Sequence, residues 1–403
     1  MRILIFSLAY EPYVGGAELA IKEITDRLPE YEFEMITLRF DSKLPKVERI
    51  GNITVHRIGL TAENPKVSDR ALPWQNRLAK FLFPITAFLK ARSLQRAKPF
   101  DLSWAMLANQ AGFAALFFKY ANPAIPYVLE LQDGNSLQQV KERRPLMRLL
   151  WSLYKKIYLK ADAIKAISHF IERLAQEVGF GRTVHVIPNG VDTRAFSAEV
   201  AADEIAALKA RYRKHMGDIF LFTASRLVLS RGVEDVIRAL PHLPPNVKFL
   251  IAGDGEDRAK LEKIADESKV HERVLFAGHV SHTDLPALLK ISDIFVRPSI
   301  IEGMGSAFIE AFAAGVPVVA TPVGGIPDFL SDPQKDPDME PTGLFCEVRN
   351  PQSVASAVKK YMEDPVLTAR VVKNARELAA KKYDWGLIAA DMKYRIFNPL
   401  TSH

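Results

Sequence analysis

The chain has 403 residues, of which 48% are hydrophobic and 25% are charged, and its formal net charge is +7. This composition is typical of a globular protein, and the length favours two domains over one. A single cysteine, Cys346, excludes an internal disulfide, and no uninterrupted apolar stretch approaches the roughly 20 residues of a membrane-spanning helix. We therefore expect a cytosolic protein whose contact with a membrane, if any, is peripheral.

Two segments carry the excess of positive charge. Residues 74–98 contain six Lys or Arg and no acid, and residues 141–160 contain seven Lys or Arg against one Glu. Both segments interleave apolar residues, as helices that bind an anionic membrane surface do. Core-packing helices with solvated basic faces have the same pattern. No nucleic-acid-binding module surrounds the charge, so nucleic acid is not the expected partner.

Short apolar strands alternate with helices along the chain. The first strand, RILIFSL, is followed by a glycine-containing loop and the helix LAIKEITDRL. Later strands in this half are EFEMITLRF, ITVHRIGL, DLSWAML, PYVLELQ, ADAIKAIS and TVHVIPNG. The alternation restarts after a polar stretch with IFLFTASRL, KFLIAGDG, RVLFAGHV, DIFVRPS and VPVVATPV. This spacing predicts an α/β chain with two doubly wound parallel sheets, divided near residues 196–217, and ligands in a cleft at the strand carboxyl ends.

The usual nucleotide fingerprints are missing from both halves. GDGEDR, which begins at Gly253, lacks the third glycine of G-x-G-x-x-G, and no G-x-x-x-x-G-K-[ST] occurs. Dehydrogenase and P-loop functions therefore lose most of their support.

Two loops that follow strands contain groups suited to phosphate. Gly15 and Gly16 precede the first helix, where backbone amides can approach a phosphate closely, although a tight turn explains them equally well. Arg226 and Arg231 follow a strand, and two guanidinium groups there can bind a diphosphate and stabilise its charge as it leaves. Two solvent-facing arginines are the alternative.

The stretch EGMGSAFIE places two acids around a predicted helix start. Gly303 and Gly305 allow the backbone to approach a ligand, and Ser306 is the expected N-cap. Glu302 then lies in the loop and Glu310 in the helix, so both can face one cleft and accept hydrogen bonds from the vicinal hydroxyls of a sugar.

A metal site is not the expected use of these acids, because no histidine or further acid lies nearby in the sequence to complete a coordination shell. Asp336-Pro337-Asp338 has the D-x-D pattern that metal-dependent sugar transferases of another fold use. It lies in a polar loop, and a solvated surface insertion accounts for it better.

One segment closely resembles the E-x7-E signature of the retaining glycosyltransferases of family 4, which have the GT-B architecture: FVRPSIIEGMGSAFIEAFAAGVPVVATPVGGIPDFL. Other stretches agree with this family in their order along the chain: GGAE, IPNGVD, SRLVLSRG, IAGDGE, FAGHV and KYDWG. The resemblance covers nearly the whole chain and is strongest from Ile187 to Pro327.

The resemblance implies two Rossmann-like domains that face each other across a cleft. The acceptor-side domain would comprise residues 1–196 and a final helix at 385–403, and the donor-side domain residues 217–384, with a linker at 197–216. The implied reaction transfers a hexose from a nucleoside diphosphate sugar, keeps the anomeric configuration, and requires no metal or other cofactor.

The resemblance also implies roles for individual residues. Glu310 would bind the ribose hydroxyls and Glu302 would approach the donor sugar. The donor sugar would contact the backbone of Gly303, Met304 and Gly305, and Ser306 would also belong to the donor site. The phosphates would contact Gly15, Gly16, Arg226 and Arg231. The base would contact the backbone around Ala277, Gly278 and His279.

Two positions depart from the family pattern. Arg231 stands where lysine is common, which keeps the charge but changes its geometry. Gln132 and Asp133 stand where the family often has a histidine near the anomeric carbon, and glutamine cannot titrate near neutral pH. Asp133 is the nearest group that could accept the acceptor's proton, and a turn-capping role before Gly134 is equally consistent with the sequence.

We therefore expect a retaining hexosyltransferase that uses a UDP- or GDP-sugar. Its expected acceptor is a glycan or a lipid-linked intermediate of cell-envelope or polysaccharide synthesis, and the basic segments favour an anionic membrane surface as a partner. A sugar nucleotide epimerase or phosphorylase of the same architecture, or an inactive sugar-nucleotide-binding module, would explain the same residues.

Overall fold

The computed structural model describes residues 1–65, 72–134, 138, 141 and 149–401. These form two compact units: Met1–Asn189 together with Trp385–His403, and Gly190–Asp384. Each unit is built on one sheet of mainly parallel strands with helices between them, so the predicted α/β class with two parallel sheets is confirmed.

The first unit contains an eight-stranded sheet in the order β3-β4-β2-β1-β5-β6-β7-β8. Its strands are β1 (Arg2–Phe6), β2 (Glu32–Leu38), β3 (Val47–Ile50), β4 (Ile53–Ile58), β5 (Leu102–Met106), β6 (Tyr127–Leu131), β7 (Ala163–Ala166) and β8 (Val184–Val186). Every residue of β1, β5, β6 and β7 is buried, which is why these strands read as nearly continuous apolar runs. The edge strand β3 is antiparallel to β4, and the sequence did not predict it because its residues are partly exposed and polar.

The described helices of this part of the chain connect parallel strands. They are α1 (Gly16–Asp26), α2 (Trp74–Ala97), α3 (Gln110–Ala121), α4 (Trp151–Leu159) and α5 (His169–Glu177). Side-chain caps fix where two of them begin: Asn109 Oδ1 accepts from Ala111 N (2.8 Å), and Ser168 Oγ accepts from Ile171 N (3.3 Å).

The second unit contains a six-stranded, wholly parallel sheet in the order β11-β10-β9-β12-β13-β14. Its strands are β9 (Ile219–Ala224), β10 (Val247–Ala252), β11 (Val274–Gly278), β12 (Ile294–Arg297), β13 (Val318–Ala320) and β14 (Leu344–Phe345). Its α-helices are α6 (Thr193–Ser197), α7 (Ala202–Arg211), α8 (Val233–Ala239), α9 (Arg258–Glu267), α10 (Leu285–Lys290), α11 (Ser306–Ala314), α12 (Pro351–Glu363) and α13 (Pro365–Lys382). Short 3-10 helices occupy Leu229–Arg231, Leu240–His242, His271–Arg273 and Ile326–Asp328.

This strand order is that of the dinucleotide-binding Rossmann sheet, and it determines where a ligand is expected. The order reverses between β9 and β12, which are neighbours. Ligands of open α/β sheets bind outside the strand carboxyl ends at such a reversal. The loops at this point are 225–232, after β9, and 298–305, after β12.

The division between the units lies between Asn189 and Gly190, not in the predicted linker 197–216. Half of that stretch is the helix α7, which belongs to the second unit. The stretch reads as a linker because none of the residues of α7 is buried, and an exposed helix has the polar composition of a connecting segment.

The last segment completes the core of the first unit. It comprises α14 (Trp385–Asp391), a π-helical stretch (Met392–Phe397) and α15 (Asn398–Thr401). Trp385 and Phe397 are buried there, and the ring centroids of Phe397 and Trp104 are 5.7 Å apart. Among the described residues, no helix combines the length and the apolar character that crossing a membrane requires.

Candidate functional site

Three charged side chains meet at the strand reversal of the second unit. Glu302 Oε2 accepts hydrogen bonds from Arg231 Nη1 at 2.6 Å and from Arg297 Nη2 at 3.0 Å. The side chains of Glu302 and Arg297 are 8% and 5% exposed, whereas that of Arg231 is 28% exposed. Glu302 and Arg231 were predicted from the sequence as site residues, and Arg297 was not.

Arg297 is the last residue of β12 and is enclosed by its neighbours. Its Nη1 donates to Ala224 O (3.2 Å), and its guanidinium carbon lies 4.1 Å from the ring centroid of Phe308. Burial lowers the pKa of Arg297 to about 10, and the nearby carboxylate of Glu302 opposes that change. Arg297 therefore stays charged at neutral pH.

The loop that carries Glu302 is connected to the loops around it. Ile300 N donates to Ser230 O (2.8 Å), which joins the loops after β12 and β9. Gly325 N donates to Glu302 O (3.3 Å), which joins the loop after β12 to the segment after β13. The backbone that positions Glu302 is therefore supported from both sides.

The helix α11 begins one residue earlier than an N-cap at Ser306 would place it. Ser306 is the first helical residue, and Gly305 is the cap, with φ = +89°. A Cβ atom on Gly305 would lie 2.5 Å from Arg297 Nη2 and 2.6 Å from Phe308 Cδ2. Glycine is therefore required at this position by both the backbone conformation and the space, and the prediction that Ser306 caps the helix was wrong. Gly303 and Met304, which precede the cap, are buried.

Arg226 lies on the loop after β9 and is exposed. No hydrogen bond or ion pair of its side chain is found within the described ranges. Its guanidinium group is therefore accessible to an anion, while its position depends on the backbone of its loop.

The glycine-rich turn after β10 supports that loop. Leu227 N donates to Asp254 O (2.9 Å), and Leu229 N donates to Asp257 Oδ2 (3.0 Å). A Cβ atom on Gly253 would lie 1.9 Å from Ser225 O, so the two turns pack backbone against backbone. GDGED thus packs against the loop of Arg226 and has a structural role here.

Glu310 lies on α11 and is 6% exposed. The distance between its Oε1 and His282 Nε2 is 3.2 Å, and His282 packs edge-on against Phe196 of α6, with ring centroids 5.4 Å apart. Glu302 and Glu310 therefore have different partners: two arginines hold the first, and a half-exposed histidine contacts the second.

The predicted base-binding residues lie at the end of β11. Ala277 and Gly278 are its last residues, and Gly278 O accepts a hydrogen bond from Gly253 N (2.7 Å). His279 follows and is exposed. The backbone at Gly278 therefore contacts the same turn that supports the loop of Arg226.

In the first unit, Gly15 and Gly16 lie at the start of α1 and are exposed. Gly15 N donates to Glu18 Oε2 (2.8 Å), so a side chain of the helix itself occupies one of the amides that the sequence analysis assigned to phosphate. Burial raises the pKa of Glu18.

Gln132 belongs to a buried polar cluster. Its Nε2 donates to Glu130 Oε1 (2.6 Å), and its Oε1 accepts from Asn189 Nδ2 (3.0 Å). Glu130 also accepts from Lys165 Nζ (2.5 Å) and from Trp104 Nε1 (3.0 Å), and neither side chain of the Glu130–Lys165 pair is exposed. Neither member of this pair was predicted from the sequence.

Asp133, the next residue, is exposed. The amide of Gln132 is thus oriented by the cluster at both ends, whereas the carboxylate of Asp133 is accessible to solvent.

The D-x-D stretch is part of a surface loop in which Asp336 Oδ2 accepts from Asp332 N (3.1 Å). Within the described part of the chain, no group of three or more His, Cys, Asp or Glu side chains is arranged to hold a metal ion.

Comparisons with known proteins cover nearly the whole chain. Residues 14–195 match the model of Glycosyltransferase Family 4, and residues 204–378 match that of Glycosyl transferases group 1. An uncharacterised glycosyltransferase of Methanocaldococcus jannaschii is 32% identical over 97% of this chain and 96% of its own length. A GDP-mannose-dependent alpha-(1-6)-phosphatidylinositol monomannoside mannosyltransferase of Mycobacterium tuberculosis is 30% identical over 60% of this chain and 63% of its own length.

Two solved structures have the same fold along their whole length. The Anabaena protein HepE in complex with UDP and glucose has a TM-score of 0.75 and 21% identity, and the match covers 98% of this chain and 99% of that one. Sucrose-phosphate synthase from Thermosynechococcus elongatus has a TM-score of 0.79 and 20% identity, with 98% of each chain covered. The chain therefore belongs to glycosyltransferase family 4 and is a glycosyltransferase with the GT-B fold.

Proposed function

We propose that the protein transfers a hexose from a UDP- or GDP-sugar to a glycan or lipid-linked acceptor, with retention of the anomeric configuration and without a metal ion. The observation that carries this proposal is the cluster of Arg231, Glu302 and Arg297 at the strand reversal, on loops adjoining the exposed Arg226. A ligand of this sheet is expected at that reversal, and arginines there suit a diphosphate.

The chemistry requires stabilisation of the leaving group. As the acceptor oxygen forms its bond to the anomeric carbon, the bond from that carbon to the diphosphate breaks, and negative charge grows on the departing oxygen. Arg226 and Arg231 would neutralise this charge in place of a metal. Attack on the face from which the diphosphate leaves retains the configuration, and the acceptor's proton would pass to the departing phosphate oxygen.

The choice between UDP and GDP is open, since one relative is named for GDP-mannose and one solved structure contains UDP and glucose. Glu310 would accept the ribose hydroxyls of either nucleotide. Its carboxylate is buried. Among the described residues, the one hydrogen-bonding partner found for it is the half-exposed His282.

We expect Glu310→Ala to weaken the binding of the matching nucleoside diphosphate by about 10- to 150-fold, because a hydrogen bond to a charged group contributes about 1.5–3 kcal/mol. Titration calorimetry with UDP and GDP, and with their 2′-deoxy forms, measures this directly. The wild type should prefer the ribose form, and the variant should bind the two forms alike.

Glu310→Gln is the matched control, since it keeps one acceptor oxygen and the shape of the side chain. Unchanged preference for the ribose form in Glu310→Ala would contradict the ribose assignment.

A membrane surface is the second proposed partner, and α2 is the element that supports it. Six apolar side chains of α2 are exposed, with relative exposures from 36% to 68%. At about 100° per residue they fall on one stripe about 100° wide. The members of this stripe are Trp74, Leu78, Phe81, Leu82, Ile85 and Leu89. Basic residues and no acids accompany them, as expected for a helix lying on anionic lipid.

The second basic segment, 141–160, lies partly outside the described residues. In its described part, Tyr154, Ile157 and Tyr158 of α4 are buried, so the apolar face of α4 packs in the core. The proposed contact therefore centres on α2. The cytosolic location stays a prediction.

We expect the triple variant Trp74→Ser/Phe81→Ser/Ile85→Ser to lose most of its binding to vesicles that contain anionic lipid, because the apolar stripe would no longer enter the interface. Co-sedimentation with these vesicles at low salt measures the binding. Val366→Ser, at a valine that is 81% exposed on α13, is the matched control. Equal sedimentation of the triple variant and the wild type would rule out α2 as the contact.

A further inference from the structure

Both arginines of the cluster contact the same oxygen of Glu302. Arg231 and Arg297 donate to Oε2, and within the part of the chain that the structure describes no hydrogen bond to Oε1 is found. Oε1 is therefore the oxygen that a hydroxyl donor of a sugar could contact. The double contact on Oε2 raises the question of what each arginine contributes.

The two arginines differ in how firmly they are held. Arg231 is 28% exposed, and its contacts in the described structure are Glu302 and the carbonyl of Ile301, 3.3 Å away. Arg297 is 5% exposed and is fixed by Ala224 O and the ring of Phe308. Arg231 can therefore turn towards a diphosphate, whereas Arg297 has no room to leave Glu302.

Glu302 needs a cation at all times because its carboxylate is buried. An uncompensated buried charge is strongly destabilising. If Arg231 were the only cation beside Glu302, contact with a diphosphate would compete with contact with Glu302. With Arg297 permanently in place, Glu302 remains compensated while Arg231 moves to the phosphates.

We propose that Arg297 is a positioning residue: it is the permanent counter-ion of Glu302, and it thereby makes Arg231 available to the diphosphate. This inference rests on the proposed function, since it assumes that a nucleoside diphosphate is the ligand. Arg297 itself would touch no substrate.

The test is a double-substitution cycle read by calorimetry with UDP and GDP. Arg297→Met is expected to weaken diphosphate binding roughly tenfold, because Arg231 is then retained by Glu302. Arg297→Lys keeps a positive charge and should bind more tightly than Arg297→Met. In Arg297→Met/Glu302→Gln the carboxylate that retains Arg231 is gone, so affinity should return to that of Glu302→Gln alone. Arg370→Met, at an exposed arginine of α13, is the matched control.

The outcomes distinguish failure of the proposed function from failure of the role of Arg297. Wild-type protein that binds neither UDP nor GDP contradicts the proposed function and this inference with it. Binding by the wild type that is unchanged in Arg297→Met, or that stays weak in the double variant, contradicts only the role of Arg297. If Arg297→Met does not fold, the inference requires the double variant to fold and to bind as Glu302→Gln does; a double variant that fails to bind overturns it.

Discussion

Replacing Arg226 by alanine is expected to lower kcat/KM for the sugar donor by about 100-fold. Loss of one preorganised donor to a developing negative charge costs about 10²–10³-fold in turnover, and Arg226 would be such a donor for the departing diphosphate. The donor for this assay is the nucleotide sugar that raises the thermal midpoint of the protein. A coupled assay of UDP or GDP release then measures kcat/KM.

This substitution is informative because Arg226 is exposed and makes no side-chain hydrogen bond or ion pair within the described residues. The thermal midpoint without ligand should therefore stay that of the wild type, so a loss of activity would not reflect misfolding. Arg370→Ala removes an exposed arginine from α13 and should retain full activity. Full activity in Arg226→Ala as well would show that the diphosphate does not bind at this loop.

Replacing Lys165 by methionine is expected to destabilise the first unit by about 3–5 kcal/mol, since it leaves the carboxylate of Glu130 buried without its cation. All four tryptophans, Trp74, Trp104, Trp151 and Trp385, belong to this unit. Urea denaturation followed by tryptophan fluorescence therefore reports on the first unit alone.

Glu130→Gln/Lys165→Met is the compensating variant. It removes both charges and keeps one acceptor oxygen, which can accept from Trp104 or from Gln132 but not from both at their present positions, so part of the lost stability should return. Lys46→Met, at an exposed lysine, is the matched control. If Lys165→Met were as stable as the wild type, the carboxylate of Glu130 would have to be solvated by water in that variant.

The parallel sheets could be predicted because their strands are buried on both faces. Segments such as RILIF and IFLFTA then have no polar alternation, and their spacing with intervening helices leaves few other folds. The extent of the second unit could not be predicted in the same way. The helix α7 has no buried residue and carries no sign that it belongs to a packed unit.

The candidate site was predicted in its parts but not in its pairing. Glu302 and Arg231 are 71 positions apart, and only the strand order brings them together. Arg297 carried a usable signal: it is a charged residue at the carboxyl end of an apolar strand, where ligands of such sheets bind. The same reasoning would have found Glu130 and Lys165, which are single opposite charges in two neighbouring buried strands.

The cap of α11 at Gly305 required knowledge of tertiary contacts. Ser306 has the better local propensity for an N-cap, but the guanidinium of Arg297 and the ring of Phe308 leave no space for a side chain at position 305. Local sequence preference is overruled here by packing.

The path of the chain affects the order in which the two units can fold during translation. The second unit is one continuous segment, Gly190–Asp384, and its two ends are joined by the hydrogen bond from Val191 N to Tyr383 O (2.7 Å). The first unit, by contrast, lacks Trp385 and Phe397 in its core until the segment that follows the second unit is synthesised. During translation the second unit can therefore finish folding before the first, although Met1–Asn189 of the first unit precedes it in the sequence.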